Sequence, residues 1–256
     1  MNKTSWSTLE LMAVAAAREI KDGEVVFAGT GLPMLGAMLA QRTRAPRCTI
    51  VFEAGGVDPR MLQLPMSVGD SRTLVGAAQA AGLLEVFNYV LQGGRVDVGF
   101  LGGAQIDRYG NINSTAIGPD YRRPKVRLPG SGGSADVAAL SRRTVVIARH
   151  EKRRLPERVD YCTGPGWLAG GRTREQAGIP GGGPVAVVTT MAVIRFRPNT
   201  REPYLCSYHP GLSPDRVQSE TGFILDVADA AETPPPSTEE LEILRNAVDP
   251  EGIFLR

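Results

Sequence analysis

Apolar positions along the chain fall into short unbroken runs that alternate with segments of helical spacing. The first pattern is helical. Leu11, Val14, Ala15 and Ile20 recur on one face of an amphipathic segment that Ser7 or Thr8 caps and Asp22-Gly23 ends. Residues 24–28 (EVVFA) then form a β-rich run, followed by Gly29-Thr30-Gly31 and a helix over 35–42. Further strands are predicted at 49–52, 96–101, 144–148 and 184–189, with 192–196 after a turn. Strands this continuously apolar belong in a sheet covered on both faces, so the expected class is α/β: an open, mostly parallel sheet with helices on both faces. Residues 233–238 (TPPPST) read as a Pro-rich linker into a helix over 239–248 that docks on the rest. Without an internal repeat or heptad pattern, residues 1–256 read as a single domain.

Length supports this, because a chain of 256 residues buries roughly 70–75% of its unfolded surface and needs no staples. Its 29 basic and 27 acidic side chains nearly cancel, which leaves no field to collect nucleic acid or an anionic membrane. Cys48, Cys162 and Cys206 are far apart and odd in number, so neither a disulfide framework nor a zinc site is indicated and a reducing cytoplasm is expected. The apolar N-terminal stretch is broken by Arg18, Glu19 and Lys21, unlike a signal peptide or a membrane span. His150 and His209 lie on separate segments with no ligand spacing around them, which argues against a metal or a Ser-His-Asp triad.

Four segments carry candidate chemistry. Glu53 ends an apolar strand beside Ala54-Gly55-Gly56, where a carboxylate serves either as a nucleophile open to a ligand or as the partner of an arginine across a loop. The stretch 102–115 (GGAQIDRYGNINST) follows a buried strand, and its Gln105, Asp107, Asn111 and Asn113 either orient a polar substrate or bond to one another. Residues 129–136 (PGSGGSAD) form a glycine turn into a helix, whose amides suit a phosphate or an oxyanion; the Lys-Ser/Thr ending of a P-loop is missing. Arg149 to Arg154 (RHEKRR) is either a phosphate-holding group or a solvated charge cluster.

Taken in order, GTGLPMLGA (29–37), FEAGG (52–56), SVGD (67–70), GGAQIDRYGNINST (102–115), PGSGGSADVA (129–138), HEKRR (150–154), DYCTGPGW (160–167) and TGFILDV (221–227) resemble the β subunit of family I CoA-transferases of the glutaconate type. The resemblance implies that family's α/β fold and makes Glu53 the nucleophile, which exchanges acyl-CoA for a mixed anhydride and then a glutamyl-CoA thioester. It further implies oxyanion or substrate contacts from Gln105, Gly132 and Gly133, and contacts to coenzyme A around Gly55, Gly56, Gly102 and Gly103. Coenzyme A is then a substrate, with no metal or tightly bound cofactor. A separate α subunit would complete the site in an α2β2 assembly or a multiple of it, acting in organic-acid breakdown. Acyl-CoA hydrolases and decarboxylases share the scaffold, and a CoA-binding module without turnover is a further alternative. A nicotinamide-dependent oxidoreductase has only the Gly29-Thr30-Gly31 turn behind it.

Overall fold

The computed structural model describes residues 5–61 and 63–255, and the chain divides into two compact units: Met1–Phe100 with Pro235–Arg256, and Leu101–Pro234. The first unit opens with α1 (Thr8–Arg18). Ser7 caps it in a reciprocal box, accepting from the Glu10 N–H at 3.2 Å while its own N–H donates to the Glu10 carboxylate at 2.7 Å. Helix α1 ends at Arg18, earlier than Asp22-Gly23, because the Glu19 N–H already closes onto the Ala16 carbonyl and Ile20 turns into the core. Next come β1 (Val25–Phe27) and α2 (Leu32–Arg42). Helix α2 starts earlier than 35 because Gly31 supplies a positive φ of 81° at the cap and Pro33 suits the first turn. The two helices cross over small residues. A Cβ on Gly36 would lie 2.9 Å from the Ala16 Cβ and 3.2 Å from the Ala13 carbonyl oxygen, so only glycine admits this approach.

The chain continues through β2 (Thr49–Val51), β3 (Gly56–Val57), β4 (Gln79–Ala80), α3 (Leu83–Glu85) and β5 (Val98–Leu101). Strand β1 lies between β2 and β5 and pairs with both in parallel, Val26 opposite Ile50 on one side and Val98 on the other. Strands β3 and β4 extend the β2 edge antiparallel. Helix α3 runs into a wider π-helical turn, Val86–Leu91, whose Phe87 meets the Phe27 ring edge-on at 5.9 Å.

The second unit begins with two small antiparallel hairpins, β6 (Gln105–Ile106) with β7 (Ile112–Asn113), and β8 (Ala116–Ile117) with β9 (Val126–Arg127). Helix α4 (Ser134–Leu140), β10 (Arg143–Ala148), the short α5 (Thr173–Gln176) and β11 (Pro184–Thr189) follow. Then come β12 (Ala192–Phe196), β13 (Pro203–Tyr208), α6 (Pro214–Ser219) and β14 (Ala231–Glu232). Strands β10 and β11 are parallel, β12 and β13 antiparallel additions, and β14 pairs parallel with β13. The α/β class read from the apolar runs is borne out as a mixed sheet architecture. Among the described residues no helix is long and apolar enough to cross a membrane.

After Pro234–Pro236 the chain rejoins the first unit as α7 (Thr238–Ile243), capped by a second Ser-Glu box, Ser237 with Glu240, and prolonged by a π-helical turn at Leu244–Val248. It packs on α2 and is clasped to α1 by two ion pairs, Arg18–Glu240 at 2.9 Å and Arg245–Glu10 at 2.6 Å.

Candidate active site

In the first unit, β2 delivers Phe52 into a tight reversal. The Gly55 N–H donates to the Phe52 carbonyl at 3.0 Å and the Phe52 N–H to the Gly56 carbonyl at 2.9 Å, which places Glu53 at the tip. Gly55 has φ 116°, and a Cβ there would sit 1.8 Å from the Ala81 carbonyl oxygen; on Gly56 it would sit 2.0 Å from that of Thr73. Both glycines are therefore required by backbone that closes on them, Ala81 just after β4 and Thr73 in the helical turn Ser71–Leu74. Glu53 is half-buried, and its carboxylate makes no hydrogen bond or ion pair among the described residues. The arginine partner that a purely structural role would call for is missing, unlike at Asp70, Glu151, Asp226 or Glu10, each with its pKa held below the ordinary carboxyl value by an arginine.

The second unit holds Gly102, Gly103, Gln105, Gly132 and Gly133. Gln105 is buried, and its Oε1 accepts from the Asn113 side chain at 2.7 Å and the Asp160 N–H at 3.1 Å, while Nε2 donates to the Asp160 carboxylate at 3.1 Å. One Nε2 hydrogen is left over. Asn113 is saturated by Gln105, Thr115 and Ala116, and Asn111 by Asp107, Gly166 and Leu168. The two asparagines thus hold the loop rather than present free amides. Asp107, 4% exposed, takes hydrogen bonds from Tyr109 and Asn111, yet burial still pushes its carboxyl up. Gly103 is pressed against Ile112, where a Cβ would lie 2.5 Å from the Ile112 methyl, whereas Gly102 is exposed.

The glycine turn is anchored at both ends. The Gly130 N–H donates to the Ser114 carbonyl at 2.9 Å, and the Ser134 N–H closes onto the Ser131 carbonyl at 2.9 Å as α4 begins. Between these bonds, the N–H groups of Gly132 (φ 50°) and Gly133 donate to no acceptor among the described residues. A feature the sequence did not announce secures the other end of α4. Arg174, 2% exposed, donates to the carbonyls of Ala138, Ala139, Pro165, Gly166 and Gly181 and has no acidic partner. Burial lowers its pKa to about 10. Only an arginine in a glycine-rich stretch hinted at this, and no spacing rule identifies it.

The RHEKRR segment resolves into two parts. Glu151 accepts from Arg153 at 2.6 Å, and Arg149, Lys152 and Arg153 are exposed, a solvated cluster. His150 turns inward, its two ring nitrogens against the hydroxyls of Thr189 and Thr221 at 2.9 and 3.0 Å, and burial lowers its pKa to about 4. His209 donates from Nε2 to the Thr189 carbonyl at 2.8 Å. Among the described residues no His, Cys, Asp and Glu side chains converge as a metal-binding set.

The first unit thus presents an unpartnered carboxylate on a glycine-walled turn and the second a turn with two free amides, each a kind of group that acyl-transfer chemistry uses. The chain belongs to the Coenzyme A transferase family, whose model matches residues 9–220. It is 41% identical over 260 residues to the β subunit of the glutaconate CoA-transferase of Acidaminococcus fermentans, covering 99% of this chain and 96% of that protein. It is also 41% identical over 243 residues to the β subunit of the 3-oxoadipate CoA-transferase of Pseudomonas knackmussii, covering 94% and 93%. The crystal structure of the Acidaminococcus fermentans glutaconate coenzyme A-transferase superposes with a TM-score of 0.93 at 40% identity, over 99% of this chain and 98% of that one.

Proposed function

We propose that the chain is the β-type subunit of a heteromeric CoA-transferase that moves CoA between an acyl-CoA and a carboxylic acid, with Glu53 as nucleophile. The observation that carries the reading is the Glu53 carboxylate, half-buried on a turn that glycine alone can form and paired with nothing among the described residues. Its oxygen attacks the acyl-CoA carbonyl, giving a mixed anhydride and CoA thiolate. The thiolate then attacks the glutamyl carbonyl, expels the first acid as carboxylate and leaves Glu53 as the CoA thioester. An incoming carboxylate reverses both steps and departs as the new acyl-CoA, restoring Glu53.

Each addition places negative charge on an oxygen. In this reading the free amides of Gly132 and Gly133 and the remaining Nε2–H of Gln105 are its donors, each worth roughly a hundredfold or more in rate. CoA is taken to pass the backbone around Gly55, Gly56, Gly102 and Gly103; at Gly55, Gly56 and Gly103 the missing side chain serves the protein's own packing. The relatives' names, as subunits of larger enzymes, support an α-type partner, taken here as forming α2β2, that completes the site; the acid is taken as dicarboxylic or polar. The free thiols of Cys48, Cys162 and Cys206 suit a cytoplasmic enzyme of organic-acid breakdown.

The test is the intact mass of this chain, co-expressed with its α-type partner, after glutaconyl-CoA, succinyl-CoA or acetyl-CoA and borohydride. Trapping of the thioester replaces one Glu53 carboxyl oxygen by two hydrogens, and Glu53→Gln shows no change. Consumption of acyl-CoA with an unchanged mass overturns the thioester and favours direct hydrolysis with Glu53 as a base.

A further inference from the structure

Gln105 stands opposite Asn113 in the β6–β7 ladder, so the two amide side chains lie on one face of the hairpin as a direct cross-strand pair. The register is pinned from both ends. At the turn, Asp107 accepts from the N–H groups of Tyr109 and Asn111 at 3.0 Å each, and Gly110 takes a φ of 68°. At the open end, the Ala104 N–H donates to the Asn113 carbonyl at 2.9 Å. A slip of one residue would send one of the two side chains to the other face.

A carboxamide has two ends of similar shape and opposite chemistry, so a buried one serves as a donor only if its surroundings fix which end faces outward. For Asn113, itself fully buried, the main chain makes that choice. Its Oδ1 accepts from the N–H groups of Thr115 and Ala116 at 2.9 and 3.2 Å, which leaves Nδ2 to point the other way. Nδ2 donates one hydrogen to the Ala116 carbonyl and the other to Gln105 Oε1, both at 2.7 Å. Gln105 Oε1 is thereby held inward, and of the two Nε2 hydrogens one goes to Asp160 and one is unspent. The direction of this relay originates in two backbone N–H groups. Turning the Gln105 amide over would set Nε2 against Asn113 Nδ2 and the Asp160 N–H, and Oε1 against the Asp160 carboxylate. Asp160 is exposed, so water can stand in for its carboxylate, whereas the Asn113 side of the pair is closed to solvent.

We propose that Asn113 is a positioning residue for the reaction: it sets the polarity of the Gln105 amide, so that a donor rather than an acceptor meets the oxygen on which negative charge develops. This rests on the reading of Gln105 as an oxyanion donor. An acceptor in that place would repel the charge, so reversing the amide costs more than removing it.

The experiment is a double-mutant cycle in the heteromer, with Asn113→Asp and Gln105→Ala alone and together, read as kcat and KM for acyl-CoA. Asn113→Asp is nearly isosteric and keeps an acceptor for the Thr115 and Ala116 N–H groups, but it offers Gln105 Oε1 an oxygen in place of an N–H. It is expected to lower kcat roughly a hundredfold while KM stays within about threefold. The loss should be deepest at high pH, where the new carboxyl is ionised, and should lessen as protonation restores an O–H donor. In the Gln105→Ala background the same substitution should change kcat by less than about twofold. Asn113→Ala, which removes the donor without adding an acceptor, should fall between wild type and Asn113→Asp. An equal loss in both backgrounds, or a change in KM alone, overturns the positioning role. So does failure of both Asn113 variants to assemble with the partner, which would make Asn113 a residue of folding only. If Gln105→Ala keeps full turnover, Gln105 is no oxyanion donor and both readings fall; if it loses turnover and Asn113→Asp does not, only the role of Asn113 falls. Should the wild type consume acyl-CoA without a trapped thioester, the transferase reading falls and the same cycle decides on hydrolysis, whose oxyanion needs the same donor.

Discussion

The turn that carries Glu53 and the loops that carry Gln105 and Gly132-Gly133 solve the same problem in opposite ways. In the first unit a side chain is left unspent, and the backbone around it is fully committed: Gly55 and Gly56 are closed in by the carbonyls of Ala81 and Thr73. In the second, side chains are spent on one another, Gln105 with Asn113 and Asp160, and backbone amides are left over. In the proposed reading the enzyme's nucleophile forms and breaks a covalent bond, which a free carboxylate side chain can do and a backbone amide cannot. An oxyanion donor need only stay still, and a backbone N–H on an anchored turn does this at little entropic cost.

The widest separation between the two regions is expected from replacing the unspent carboxylate. Glu53→Gln should lower turnover roughly 10⁴-fold or more while the melting temperature stays where it was; steady-state kinetics and calorimetry on the heteromer check both. A surviving rate within tenfold of wild type would break the comparison. Adding one methyl to each turn sharpens it. Gly55→Ala drives a Cβ into a backbone carbonyl and should cost on the order of 4 kcal/mol or more, visible as insoluble or unfolded chain. Gly132→Ala meets nothing within 4 Å, and its positive φ alone costs about 1 kcal/mol.

Arg174→Leu tests whether the glycine turn is held from the far end of α4. Five carbonyls lose their donor, and unfolding in urea should show a loss of roughly 3 kcal/mol. A loss under 1 kcal/mol would show that α4 needs no such anchor. The smallest effect expected near neutral pH comes from His150. Burial holds it near 4 when folded, whereas the unfolded chain takes up its proton near 6.5, so this contribution is complete above about pH 6.5 and is lost as pH falls toward 4. It amounts to about 3 kcal/mol across that window, and urea titrations from pH 7 to 4 should follow it in wild type but not in His150→Gln.

The strands legible in the sequence were those with a continuous apolar run. Residues 24–28, 144–148 and 184–189 appear as β1, β10 and β11 to within a residue or so. The two-residue strands β3 and β4 were not legible, since Gly56 carries no hydrophobic signal and its pairing with Ala80 is made by the backbone alone. The end of α1 was misplaced because a Gly at 23 resembles a helix stop, while the true stop is set by Ile20 entering the core. Glu53 was singled out because it follows an apolar strand, but position alone left nucleophile and ion-pair partner both open, and only the family resemblance chose between them. The bonds that fix Gln105 were not legible, since its partner Asp160 lies far along the chain. Arg174 was hidden for the same reason: its acceptors are main-chain carbonyls from three segments, and a carbonyl leaves no mark in a sequence.

The clasp of α7 on α1 sets an order of events during synthesis. Glu10 is made 235 residues before Arg245, with the whole second unit translated between them. Until Arg245 leaves the ribosome, Glu10 keeps its cap on α1 but lacks its cation, and the face of α2 that α7 covers stands open. The unit whose translation starts before the other's therefore closes after it, and a nascent chain stalled before residue 238 presents that uncovered face to chaperones.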